Sequence, residues 1–151
     1  MIDYQIREVQ INDVQDIYHL NTQEMGYDYP LTQTKLKLQA IINSPHDKIY
    51  VAIKDHQVIG YVHANDYDTI YAPHMKNIMG IAVDSRYKRQ GIGTALLTKI
   101  EQWAKESGAK GVRLVSGATR KNAHAFYRSM GYGHEKQQIN FKKMFDEVTD
   151  E

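Results

Sequence analysis

Along the first seven residues Ile2, Tyr4 and Ile6 alternate with Asp3, Gln5 and Arg7, the period of a half-buried strand. The period then lengthens. Val14, Ile17, Tyr18, Asn21 and Met25 share one helical face, with Asn12 as the expected cap, Gln15 at capping-box spacing and Gly26 as the stop. Gly26 to Pro30 reads as a loop bearing Tyr27, Asp28 and Tyr29, with Glu24 just before it. A second helix follows, capped by Thr32 or Thr34, striped by Leu38, Ile41 and Ile42, and closed by Ser44-Pro45. Ile49 to Ile53 and Val58 to Ala64 are β-branched runs on either side of Lys54-Asp55-His56-Gln57, which predicts a hairpin.

Residues 65–76 are polar and contain Pro73, so a loop is expected there. Ile78 to Val83 is apolar on both faces, as a strand covered on both sides requires, and Gly80 within it marks a bulge. From Gly93 to about Ser107, Leu96, Leu97, Ile100, Trp103 and Ala104 keep helical spacing until Gly108. Val112 to Ser116 reads as a fifth strand. Asn122 is placed as the cap of a shorter helix whose inner side carries Ala123, Phe126, Tyr127 and Met130, ended by Gly131. Gln138 to Lys143 reads as a closing strand, and 146–151 as an acidic, frayed tail.

The order strand, basic loop, glycine-opened helix makes an anion site. Gly91 and Gly93 leave backbone N–H groups uncovered, Lys88 and Arg89 add charge, and the helix aims its positive end at the same point. A phosphate or pyrophosphate is the expected occupant.

Composition narrows the field. The 151 residues suit a single domain over 1–151 with a real core. Lys and Arg number 19 against 18 Asp and Glu, so no global positive field favours nucleic acid. The absence of cysteine removes thiolate nucleophiles, thiolate metal ligands and disulfides. No apolar run approaches the ~20 residues of a membrane span, and the amino terminus lacks a signal-peptide pattern, so a soluble cytoplasmic protein with no membrane partner is expected.

Lys88-Arg89-Gln90-Gly91-Ile92-Gly93, followed some thirty residues later by Asn122-Ala-His-Ala-Phe126-Tyr127-Arg-Ser-Met-Gly-Tyr132, resembles the GNAT superfamily of acetyl-CoA-dependent N-acetyltransferases. Its pyrophosphate loop runs Gln/Arg-x-x-Gly-x-Gly/Ala, and Lys88 departs from the usual first residue. The segment Arg120 to Tyr132, with Phe141-Lys142-Lys143, is similar to that of small-amine enzymes of the aminoalkylphosphonate type. The resemblance implies an α/β (α+β) fold: a mixed, mostly antiparallel twisted sheet of about six to seven strands, flanked by about four helices, with a V-shaped splay between the fourth and fifth strands.

It also implies acetyl-CoA as acyl donor, no metal, and acetyl transfer to a primary amine of a small molecule by direct attack. A protein or peptide acetyltransferase and a non-catalytic acyl-CoA-binding module remain as alternatives. Homodimers are common in the family. The donor set it assigns comprises Ile81, Ala82 and Val83 on the central strand, Lys88, Arg89, Gln90, Gly91, Ile92, Gly93 and Thr94 in the loop, and Asn122, Phe126 and Tyr127. Tyr127 is the candidate acid for the leaving thiolate. Many relatives carry a Glu on the central strand, whereas this chain has Met79, Gly80 and Ile81, so the base comes from elsewhere: Glu24, Asp28, His63, Asp66 or His74. Tyr27, Asp28, Tyr29 and Tyr67 are expected to line the acceptor pocket. Arg120 and His124 read as surface or supporting residues, and His63, His74 and His124 stand at no metal-ligand spacing.

Overall fold

The computed structural model describes residues 2–146, so the expected frayed tail beyond Asp146 lies outside the described residues. The chain divides after Val115 into two compact units. The first contains β1 (Gln5–Glu8), α1 (Val14–Met25), α2 (Leu31–Ile42), β2 (Asp47–Lys54), β3 (Gln57–Tyr67), β4 (Met75–Val83), α3 (Ile92–Glu106) and β5 (Gly111–Leu114). The strands lie side by side in that order. Neighbours are antiparallel up to β4, and β5 runs parallel to β4 because α3 carries the chain back across the sheet between them.

Both sheet faces are covered. On one, Ile17 and Leu20 of α1 and Leu38 of α2 pack on Ile49, Val51, Val58, Tyr61 and Ala82. On the other, Leu96, Leu97 and Ile100 of α3 are fully buried, and Gly60 on β3 leaves room for Ile92 and Leu96. No helix among the described residues is long and apolar enough to cross a membrane.

The helix starts differ from those read in the sequence. Val14 opens α1, and Asn12 sits in a preceding 3-10 turn, Ile11–Asp13. The acid of this turn is Asp13, whose carboxylate accepts from the Gln10 N–H at 2.8 Å and from both Arg7 nitrogens at 2.8 and 2.9 Å. α2 begins directly after Pro30, so neither Thr32 nor Thr34 caps it; the Thr34 hydroxyl instead donates back to the Pro30 carbonyl at 2.9 Å. Burial of the apolar stripes, which sequence periodicity reports, fixes a helix's face more firmly than its first residue.

The β2–β3 hairpin closes through two residues, Asp55 and His56, both at positive φ, the geometry that matches strand twist. β3 and β4 extend beyond the apolar runs. Asn65 pairs with Asn77, Asp66 with Lys76 and Tyr67 with Met75, so much of the expected polar loop is strand. Ladder hydrogen bonds use backbone groups and tolerate polar side chains wherever a partner strand is present. His63 then faces Gly80 while Ala64 faces Ile78, which leaves Met79 as the extra residue of a bulge beside Gly80.

β5 pairs with β4 only from Met75/Gly111 to Ile78/Leu114. From Met79 to Val83, β4 keeps β3 on one side and has no strand on the other among the described residues, which is the expected splay.

In the second unit α4 spans Lys121–Ser129. Asn122 lies inside its first turn, because the Arg120 N–H bonds to the Gly117 carbonyl at 3.0 Å and the turn places Arg120 at the cap. Gln138 to Lys143 is not a strand; Ile139 and Phe141 are 79% and 85% exposed. Alternation specifies a face and not a partner, and among the described residues the sheet holds five strands rather than six or seven.

Between the sheet and α3, Asp66 gathers three cationic or imidazole groups. Lys76 donates to it and is buried under the Trp103 ring, with Nζ 3.8 Å from the centroid, while His74 and His46 approach at 2.8 and 2.9 Å. Burial works to raise the Asp66 carboxyl, but the bonds from Lys76, His46 and His74 outweigh it and hold it well below the ordinary range.

Ile92→Ala, at a position 1% exposed, is expected to cost about 2–5 kcal/mol in urea unfolding and to loosen the start of α3. Asp66→Asn strands Lys76. Its expected cost is on the order of 2–3 kcal/mol at pH 7, below the ~3–5 of a fully buried pair because the Asp66 side chain is 24% exposed. A depressed folded pKa contributes stability above the unfolded value of 3.8, so the gap between Asp66→Asn and wild type should be full at pH 7 and narrow as pH falls below about 4, read from urea midpoints.

Candidate active site

The loop from β4 to α3 is built to present backbone N–H groups. The Asp84 N–H bonds to the Ile59 carbonyl at 2.8 Å, keeping the chain on β3, and the Asp84 carboxylate accepts from Arg86 N at 2.9 Å, Nε at 3.1 Å and Nη2 at 2.9 Å across the 3-10 turn Ser85–Tyr87. The Arg86 bonds, working against burial, hold the Asp84 carboxyl below its ordinary value. Arg89 and Gly91 then take positive φ of 64° and 79°, which reverses the chain into α3.

The Ala95 N–H to Gly91 carbonyl bond, 3.0 Å, is of the ordinary helical kind, so the N–H groups of Ile92, Gly93 and Thr94 precede any intrahelical acceptor. No side chain caps them. Ile92 contributes its N–H alone, since its side chain is in the core, whereas Lys88, Arg89, Gly91 and Thr94 are exposed and Gln90 is half-buried. The loop thus offers an anion three donors, a helix dipole and two exposed cations. These features fit the pyrophosphate of a CoA thioester. On β4, Ala82 buries its side chain under α1, and the segment Ile81 to Val83 lies on the edge that β5 leaves open.

Glu24 is placed at this loop. Its Oε2 accepts from the Ser85 N–H at 3.0 Å and its Oε1 lies 3.9 Å from Lys88 Nζ. The side chain ties the last turn of α1 to the anion-binding segment.

On the α1 side of the sheet, period-two alternation puts Tyr61, His63, Asn65 and Tyr67 of β3 on one face. The Tyr61 hydroxyl donates to Asn21 Oδ1 of α1, and burial, with the nearby Tyr27 phenol adding to it, pushes its pKa up to about 12. A Cβ on Gly80 would meet Met25 Cε at 3.6 Å and the Tyr61 hydroxyl at 4.0 Å, so this position sits directly against the end of α1. Beside it, His63 Nε2 bonds to Asp47 Oδ1 at 2.7 Å, both side chains mostly buried. The pair places an oriented imidazole opposite Gly80.

Of the residues expected to line an acceptor pocket, Tyr27 and Tyr29 are 61% and 43% exposed, Tyr29 has Lys37 Nζ at 5.4 Å from its ring, and Asp28 is exposed. Tyr67 belongs to β3 and not to the following loop, and the Arg113 guanidinium lies over its ring at 4.1 Å. Asp66 and His74 are committed to the cluster under α3. Asn21, Asp47, Tyr61 and Arg113 carry no motif. The available signal was the His63/Tyr61 alternation on an otherwise apolar strand, which marks polar groups on one face.

In the second unit, Tyr127 is half-buried, with Phe126 and Tyr132 centroids at 5.3 and 6.2 Å. Burial raises its phenol above 10.0, against a smaller opposing pull from Arg120. His124 Nε2–H donates to the Gly117 carbonyl at 2.9 Å, and Asn122 is exposed. Among the described residues no group of three or more His, Asp or Glu side chains is placed to hold a metal ion.

Comparison with known proteins agrees with this layout. The model of the acetyltransferase (GNAT) family matches residues 14–132. An uncharacterized N-acetyltransferase of Methanocaldococcus jannaschii is 29% identical over 143 residues, covering 90% of this chain and 63% of its own length. N-acetyltransferase 8 of Homo sapiens is 34% identical over 85 residues, covering 55% and 37%. The chain therefore spans from about a third to just under two thirds of the length of these curated relatives.

Among solved structures, a transcriptional regulator from Bacillus halodurans superposes with a TM-score of 0.84 at 20% identity, covering 93% of this chain and all of that one. The aminoglycoside N-acetyltransferase AAC(6')-Iy in complex with CoA gives 0.84 at 16%, covering 93% and 95%. At these identities the structural likeness is one of fold. With the family model matched across 14–132 and the anion loop and splayed strand inside that span, the chain belongs to the acetyltransferase (GNAT) family.

Proposed function

We propose that this protein transfers an acetyl group from acetyl-CoA to the primary amine of a small molecule. The observation that carries the reading is the uncapped start of α3 behind Arg89 and Gly91, at the end of a strand whose edge opens from Met79 onward. The N–H groups of Ile92, Gly93 and Thr94, with Lys88 and Arg89, would take the pyrophosphate. Ile81 to Val83 would pair with the amides of the pantetheine arm and offer a backbone N–H to the thioester oxygen as it becomes an oxyanion. Resemblance adds Asn122 and Phe126 to the donor set.

In the reaction the amine nitrogen bonds to the thioester carbon, the C–S bond breaks and the electron pair leaves with sulfur. Two proton transfers accompany it. His63, oriented by Asp47, is assigned the proton lost by the amine, directly or through water. Glu24 holds the donor loop instead, since its carboxylate is engaged by Ser85 N–H and faces Lys88. Tyr127 is assigned the proton delivered to the thiolate; burial keeps its phenol protonated across the neutral range.

Thiol release from acetyl-CoA in the presence of a panel of small amines tests the reading. Acetyl-CoA bound tightly but transferred to no amine overturns it in favour of a non-catalytic acyl-CoA module. Tyr127→Phe is expected to lower kcat about 10²-fold with the KM for acetyl-CoA little changed. An acid's contribution is lost as pH rises through its pKa, so the basic limb of the wild-type kcat profile, where Tyr127 sets it, should lie above pH 10.0. His63→Ala should lower kcat, and Asp47→Asn should do so with a smaller loss.

A further inference from the structure

Among the described residues three glycines stand in strands, Gly60, Gly80 and Gly111, and packing requires two of them. A Cβ on Gly60 would meet the Ala82 carbonyl oxygen at 3.1 Å and Ile92 Cγ2 at 3.3 Å, and one on Gly111 would meet Met75 Cε at 3.0 Å. Gly80 has no such neighbour. A Cβ there would find Met25 Cε at 3.6 Å and the Tyr61 hydroxyl at 4.0 Å, both ordinary contacts. Neither Gly80 nor Met79 takes a positive φ, so the bulge does not demand glycine either. A glycine inside a strand weakens it, and where packing and conformation do not call for one, the close approach of a ligand is the use left for it.

Topology brings a ligand to this point. In the donor placement proposed above, the pyrophosphate sits at the start of α3, beyond Val83, and the pantetheine arm runs back along the open edge from Val83 to Ile81. The thioester end then arrives beside Gly80. The way ahead along the edge is closed, since β5 is paired with β4 at Ile78/Leu114. The missing side chain at Gly80 instead opens the α1 face, where a carbon atom fits against Met25 and Tyr61 in ordinary contact. Met25 is an unbranched, adaptable thioether, and the Tyr61 phenol has its proton donated to Asn21 Oδ1. Such walls suit an uncharged chain and leave a carboxylate without compensation.

We infer that Gly80, Met25 and Tyr61 form an acyl pocket one carbon deeper than an acetyl group needs: the donor class is short, uncharged acyl-CoA thioesters, with propionyl-CoA used as readily as acetyl-CoA. The inference rests on the donor placement given above and widens it from acetyl to this acyl class. The step is the same for each donor: the amine nitrogen bonds to the thioester carbon, the C–S bond breaks, and the electron pair leaves with the sulfur of CoA.

The test is calorimetric titration of acetyl-, propionyl-, butyryl- and succinyl-CoA, without amine, into the wild-type protein, Gly80→Ala and Met25→Ala, followed by thiol release with the amine panel. Wild type should bind propionyl-CoA at least as tightly as acetyl-CoA, up to about fourfold tighter, the value of one buried methylene. Succinyl-CoA should bind at least about tenfold more weakly than propionyl-CoA. Gly80→Ala fills the space and should lower the propionyl-to-acetyl ratio of affinity and of kcat/KM about tenfold, whereas Met25→Ala deepens it and should raise the butyryl-to-propionyl ratio by a similar factor.

Propionyl-CoA bound more weakly than acetyl-CoA by the wild type, succinyl-CoA bound as well as propionyl-CoA, or an equal loss on every donor in Gly80→Ala overturns the pocket and leaves the transferase standing. The wild-type comparison decides the matter even if a variant fails to fold. The expected order of affinities with transfer to no amine overturns the transferase and leaves the pocket, and binding of no acyl-CoA overturns both.

Discussion

The parting of β4 from β5 after Ile78 and Leu114 is the constraint on which the rest of the first unit depends. A strand buried on both faces ordinarily spends its backbone groups on two neighbours, and leaving one edge open exposes N–H and C=O groups that must find partners elsewhere. Here the open length, Met79 to Val83, leads straight into the loop whose N–H groups begin α3. A donor bound as proposed would continue the sheet and helix hydrogen bonding. The extra residue at Met79 marks the transition, since a bulge increases local twist and turns the strand away from its parallel neighbour.

Helix α1 fastens the two ends of this arrangement. In its last two turns Asn21 accepts from Tyr61, Glu24 accepts from the Ser85 N–H, and Met25 packs near Gly80 before Gly26 ends the helix in a left-handed conformation. Three consecutive parts of the site, the polar face of β3, the bulged strand and the anion loop, are indexed to one rigid element. Gly80 borders this packing: a Cβ there would make ordinary van der Waals contact with Met25 Cε at 3.6 Å and the Tyr61 hydroxyl at 4.0 Å.

Electrostatics separates the two halves of the site. The net charge of the chain is only +1, so local placement decides what each part attracts. At the loop, Glu24 and Asp84 are spent on backbone and arginine donors, which leaves the start of α3 positive. On the α1 face of the sheet His63 is bonded to Asp47 and Arg113 to Asn77. At Tyr67 the neighbouring charge is a guanidinium, that of Arg113, resting on its ring.

What the sequence determined by itself is the donor half. An anion site at a helix start is made by consecutive residues, Lys88 to Thr94, whose N–H groups, glycines and charges are local, and the apolar spacing of Leu96, Leu97 and Ile100 fixes which way that helix faces. Tertiary structure alone decided the polar pairs on the α1 face of the sheet. Asp47 meets His63 across β2 and β3, and Asn77 meets Arg113 across β4 and β5, and each pairing depends on strand register. The same reason accounts for the misplaced boundaries. Whether Asn12 or Asn122 caps a helix, and whether 138–143 is a strand, turns on which neighbour supplies the other half of a hydrogen bond, and a linear pattern of polar and apolar residues does not contain that neighbour.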